Sequence, residues 1–114
     1  MSMDSRSRLP LTIDRRFRPW RYQASHRQLI LSTDAPGKST EFEIVFLDVL
    51  AMQIRFAFDR LLIADAGRRP EIERFAEIPE RHDDRYLRLT VSDGEHEGFV
   101  VCGAIHVREH PPVE

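Results

Sequence analysis

The stretch from Glu41 to Ala66, EFEIVFLDVLAMQIRFAFDRLLIADA, is the longest apolar segment of the chain and has to supply most of any core. Its alternate positions read Phe42, Ile44, Phe46, Asp48, Leu50, Met52, Ile54, Phe56 and Phe58, and Asp48 alone breaks the apolar series. A period of two turns one set of side chains to each face of a pleated strand, so the even set is expected to point inward. Strands typically run about 5–6 residues. That length predicts a bend or bulge at Asp48, with strands near 41–47 and 50–58 and a third at 60–65. The rival is a helix over about 49–62, N-capped by Asp48, with Leu47, Leu50, Ile54, Phe58 and Leu61 at helical spacing. It would leave Val49, Met52 and Phe56 on its other sides and need burial nearly all round. A chain of 114 residues has little room for that. Extended structure is the expectation.

Around this segment the pattern stays β-like. Trp20, Tyr22 and Ala24 alternate with Arg21, Gln23 and Ser25, which predicts a strand from Phe17. Ser25-His26-Arg27 reads as a turn, Leu29–Leu31 as the next strand, and 33–39 as a loop. Pro70 suits the first position of a short helix, with Glu71 and Glu73 at its positive end. Ile72, Phe75 and Ala76 would then face the core and Pro79 would stop the helix, the alternative for so short a segment being an irregular cover over a sheet end. Leu87, Leu89 and Val91 alternate toward an Asp93-Gly94 turn signal, and Phe99 to Val107 is the return strand. Gly103 within it predicts a bulge or a close backbone approach.

Seven candidate strands with at most one short helix predict a mostly β fold, an antiparallel two-layer sandwich or flattened barrel. The alternative is α+β with the helix at about 49–62. Residues 1–16 lack periodicity and are expected to form a flexible basic arm before a single domain over 17–110. Both faces of 41–65 carry apolar residues, so either that strand set is central or a second copy covers part of it; a homodimer is the simplest such cover and is expected.

Composition narrows the function classes. The chain is 41% hydrophobic and 32% charged, with no run near the ~20 apolar residues of a membrane helix. The N-terminus has no apolar block of the signal-peptide kind, so a cytoplasmic, non-membrane protein is expected. Cys102 is alone, which rules out an internal disulfide, and FVVCGAIHV around it predicts a buried, inert thiol. Seven Arg against Asp4 and Asp14 give residues 1–27 a charge of +5, leaving −7 on the rest of a chain whose net charge is −2.

The chemical motifs are weak. His106-Val107-Arg108-Glu109-His110 matches H-x-x-E-H, but that zinc chemistry needs a helix and the motif ends a β-type run. In a strand the two imidazoles would stand ~13 Å apart. His26, His82 and His96 are scattered, and Asp83-Asp84 and Glu95/Glu97 read as solvated turn acids rather than an acid–base pair. There is no G-x-S-x-G, and Gly37-Lys38-Ser39 lacks the first glycine of a phosphate loop because position 32 is Ser. No catalytic residue, metal or cofactor is expected. Arg15-Arg16-Phe17-Arg18-Pro19-Trp20-Arg21-Tyr22 interleaves cations with rings as single-strand nucleic-acid binders do. Against that, the remainder is acidic, and in a strand Trp20 and Tyr22 would share a face and enter the core. Nucleic acid is therefore not the expected partner. The residues with most to offer a ligand are Trp20, Arg21, Tyr22 and His26.

The run from Phe17 to Ser32, followed by Ile44-Val45-Phe46-Leu47-Asp48-Val49 and Leu61-Leu62-Ile63, resembles a group of short uncharacterised bacterial proteins. In these a W-x-Y…S-H-x-x-L-x-L hairpin precedes a V-x-F-x-x-V strand. The likeness covers residues 17–65. It implies a β-rich fold and brings no activity, cofactor or catalytic residue; Ser25-His26 would hydrogen-bond across the hairpin turn. The functional expectation is a non-catalytic interaction module, an adaptor or regulatory protein for another bacterial protein. A small-ligand or enzyme reading would gain if Trp20, Tyr22, His26 and the loop carboxylates lined one cleft.

Overall fold

The computed structural model describes residues 5–33 and 40–112. Nine strands among them are β1 (Leu11–Ile13), β2 (Phe17–Gln23), β3 (Gln28–Thr33), β4 (Glu41–Leu47), β5 (Ala51–Gln53), β6 (Leu61–Asp65), β7 (Leu87–Ser92), β8 (Glu97–Cys102) and β9 (Ala104–His110). One helix, α1 (Pro70–Ala76), and a 3-10 turn at Glu80–Arg85 lie between β6 and β7. All pairings are antiparallel, in a five-stranded sheet ordered β1-β6-β7-β8-β5 and a four-stranded sheet ordered β2-β3-β4-β9. Each sheet keeps two open ends, so the fold is a sandwich and not a closed barrel. No helix among the described residues is long and apolar enough to cross a membrane.

The core lies between the sheets. Phe17, Leu29, Leu31, Ile44, Phe46 and Ile105 from one sheet meet Leu61, Ile63, Leu89, Val91, Val100 and Cys102 from the other, all buried. Each large side chain so buried contributes about 1.5–3 kcal/mol, and β4 holds its place because Ile44 and Phe46 are its inward-facing pair.

The expected bend at Asp48 is present. Asp48 adopts a left-handed φ of 54°, and there the chain leaves the four-stranded sheet and joins the five-stranded one as β5. Gly103 does the reverse on the partner strand, so the single return strand expected over Phe99–Val107 is two strands in different sheets. The Gly103 N–H donates to the Leu47 carbonyl at 2.9 Å, and a Cβ on Gly103 would stand 3.1 Å from the Asp48 Cβ. This is the close approach that the glycine predicted. Strands that change sheets at a bend are how a sandwich forms its corners.

Several expectations are corrected. The strand expected over 50–58 pairs only across 51–53, and no helix forms over 49–62. A Cβ at Gly98 would fall 2.0 Å from the Gln53 carbonyl oxygen: the β5 main chain crosses directly over Gly98 and leaves the sheet. Phe58 then exchanges two backbone hydrogen bonds with Phe17, both 2.8 Å, and is buried, while Phe56 on the irregular stretch is 84% exposed rather than inward. Within the expected flexible arm, Leu11–Ile13 pairs with β6 and Leu11 is buried against the core. Most of the predicted loop at 33–39 lies outside the described residues.

Helix α1 starts at Pro70 as expected, but it stops at Glu77, in the left-handed region, before Pro79 is reached. Ile72 is buried, whereas Phe75 is over half exposed and meets the core only through an edge-on contact with Phe99, centroids 5.3 Å apart. Seven residues make a helix that is marginal by itself; tertiary contact holds this one. Ile72 packs with Phe99 and Val101 on the outer face of the five-stranded sheet, joined by Leu50, Ala51, Ala76 and Ile78. Leu50 and Ala51 of the long apolar segment are thus covered by the chain itself.

Candidate functional site

Strand β2 carries most of the candidate residues, and its pairing decides where they point. Phe17, Arg18 and Pro19 stand opposite Thr33, Ser32 and Leu31, but Arg21 is then opposite Ile30 and Tyr22 opposite Leu29. Trp20 is the extra residue of a β-bulge, which resets the alternation of side chains. The expectation that Trp20 and Tyr22 share a face and enter the core is thereby corrected: Trp20 is 63% exposed and Tyr22 45%. Opposite the core residue Leu29, Tyr22 lies on the inner side of the sheet at its rim. Trp20 stands with Arg18, whose guanidinium sits 5.8 Å from the indole centroid. Arg21, opposite Ile30, is exposed on the outer side.

His26 is exposed in the turn joining β2 to β3, where its N–H and that of Arg27 donate to the Gln23 and Ala24 carbonyls, each at 3.2 Å. The four candidates are thus strung along a hairpin and do not converge on a cleft. Of the four, Trp20 and Arg21 share the outer side of β2, together with Arg18. That surface borders a sheet edge, and Pro19, which offers no N–H, and the bulge both discourage another strand from adding there.

The strongest electrostatic cluster was not visible in the sequence. Arg88, on the outer face of β7, has a side chain only 7% exposed beneath α1 and the 3-10 turn. Its Nε and one Nη2 donor bind Glu73 at 3.0 and 2.9 Å. The second Nη2 donor reaches Asp83 Oδ1 at 2.7 Å, and Nη1 serves the carbonyls of Asp83 and Tyr86 at 2.9 and 3.0 Å. All five guanidinium donors are used. Arg68 closes on Asp83 from outside through both nitrogens.

Hydrogen bonds from Arg68 and then Arg88 hold the Asp83 carboxyl far below the usual range, and Arg88 lowers Glu73 in the same way. Asp83, read from sequence as a solvated turn acid, is instead a structural ligand of a buried cation. Two cations and two carboxylates cancel, and the cluster fastens α1 to the sheet.

Two more loop acids are committed in the same way. Asp93 accepts the backbone N–H groups of His96 and Glu95, which lowers its pKa to about 2, and Glu97 pairs with Arg69. His106 and His110 lie on β9, an extended strand, and His110 meets Glu43 at 2.9 Å. Among the described residues no three His, Cys, Asp or Glu are grouped to hold a metal. Cys102 is buried in the core as expected.

A cleft of about 380 Å³ opens at one end of the sandwich, with Leu9, Leu87 and Leu89 as apolar wall and Asp65, Arg68 and Tyr86 at its polar side. None of Trp20, Arg21, Tyr22 and His26 lines it. Comparison of the chain with protein-family models, curated proteins and solved structures gave no match. Function rests on the geometry.

Proposed function

We propose that the chain is a non-catalytic interaction module, a cytoplasmic adaptor or regulatory protein, that contacts protein through the outer side of β2 and works as a homodimer. The observation that carries this reading is Trp20, the only tryptophan, 63% exposed beside Arg18 and Arg21 on a bulged strand. Binding hot spots are enriched in Trp and Arg, because a large ring and a planar cation lose much water contact on docking. Supporting it, the titratable groups of the Arg88 cluster and the Asp93 turn are tied into structural hydrogen bonds. With α1 over one outer face, the surface left to a partner or a second copy belongs to the four-stranded sheet.

The test is photo-crosslinking in the native cell, with benzoylphenylalanine in place of Gln23 beside the surface and, as control, in place of Arg74 on α1. The expected result is a protein adduct at position 23, absent at 74 and abolished by Trp20→Ala; an adduct of twice the chain mass is the homodimer. Identical adducts at both positions, or none at 23, overturn the proposal. The exposed indole with its stacked guanidinium also suits base stacking, and a nuclease-sensitive adduct would move the reading to nucleic acid.

A further inference from the structure

The cleft at the sandwich end carries a separate inference, independent of the β2 surface. On β6, Leu61 and Ile63 point into the core, and the next residue of that series is Asp65, paired with Leu89. A carboxylate therefore occupies the last inward-facing position of an apolar row, where the sandwich opens to solvent. One of its oxygens accepts the Gly67 N–H at 2.8 Å. Among the described residues it makes no ion pair.

The neighbouring charges decide what can enter. Arg88 has every donor bound, and Arg68 is turned onto Asp83 by a two-point contact, so the positive charge of both guanidiniums is already balanced by Glu73 and Asp83. The cluster is neutral as a whole, and among the described residues that line the cleft the uncompensated charge is that of Asp65. Leu9, Leu87 and Leu89 offer an apolar wall beside it, and about 380 Å³ is within the range of small-molecule sites.

We propose that this cleft binds a primary ammonium carried on an apolar stem, the head on the free Asp65 oxygen and the stem along Leu9, Leu87 and Leu89. A free arylalkyl amine and a lysine side chain of a peptide present the same chemistry.

The test is an amide-resolved NMR titration of the full chain with phenethylamine, with 3-phenylpropionate as its anionic counterpart, and with N-acetyl-lysine methylamide. Phenethylamine is expected to shift Gly67, Leu87 and Leu89 with a Kd of about 1 mM, a fragment-sized affinity. The carboxylate counterpart should bind at least about tenfold more weakly, since a charge-assisted hydrogen bond is lost. Asp65→Asn, whose amide oxygen can still accept from Gly67, should cost the amine about the same tenfold, whereas Asp59→Asn on another part of the surface should cost nothing. Tighter binding of phenethylamine than of the lysine amide marks a free amine as the source, and the reverse marks a peptide. Equal binding of the amine and the carboxylate overturns the inference, as does an unchanged Asp65→Asn titration or no saturable shift.

Discussion

The two sheets treat their outer faces differently. On the five-stranded sheet, Phe99 and Val101 are covered by Ile72 of α1, and the cover is fastened by a buried cation with five occupied donors. On the four-stranded sheet no α-helix is laid down among the described residues, and the bulge at Trp20 turns an aromatic ring to water beside Arg18. Both strands concerned, β7 and β2, read as alternating apolar and polar residues. What separates them is whether the chain returns over the face. The α1 cover is a stability device, whereas the β2 edge of the other sheet keeps its tryptophan exposed.

The largest effect that would break this contrast is at Arg88. Replacing it with Met leaves Glu73 and Asp83 facing each other without their shared cation, and is expected to cost about 3 kcal/mol in urea unfolding. Amide exchange in α1 should quicken before that of the core strands. An unchanged unfolding midpoint would mean that Ile72 alone holds the cover.

A smaller effect comes with acid. Glu73 and Asp83 titrate below their unfolded values, near 4. Their stabilisation is therefore complete above about pH 4–5 and lost as pH falls through the depressed folded values. Unfolding of the wild type should grow steeper in acid than that of Arg88→Met, and parallel pH curves would remove the cluster from the account. Smallest of all, Trp20→Ala should alter stability by about 0.5 kcal/mol or less, while abolishing the contacts proposed for β2. A loss of several kcal/mol would make Trp20 a packing residue and end the contrast.

Local features were the legible ones. The bend at Asp48, the close approach at Gly103 and the helix start at Pro70 each follow from one residue's own backbone preferences, and each is where the sequence placed it. Features set by distant partners were hidden. The exposure of Trp20 depends on one extra residue in the pairing of β2 with β3, and a slip of one residue exchanges the faces of a strand. Phe56 reads as inward because the alternation continues past Gln53, while the sheet does not: Gly98, 45 positions on, is where the two backbones cross. Arg88 was the least visible. In the sequence it is one polar residue in an alternating strand, and only the folding back of residues 70–85 makes it interior. For the candidate site, the hairpin was legible and the orientation of its side chains was not.

The crossing at Asp48 and Gly103 gives the molecule a spine, as in a bound book. Both strands pass through it together, so the two pages cannot part on that side without tearing main-chain bonds on each. The opposite margin, where β1 and β2 lie, is clasped by the bridge between Phe17 and Phe58. If the sandwich breathes, it does so from that margin, and the hinge of the motion is the pair of residues at the binding.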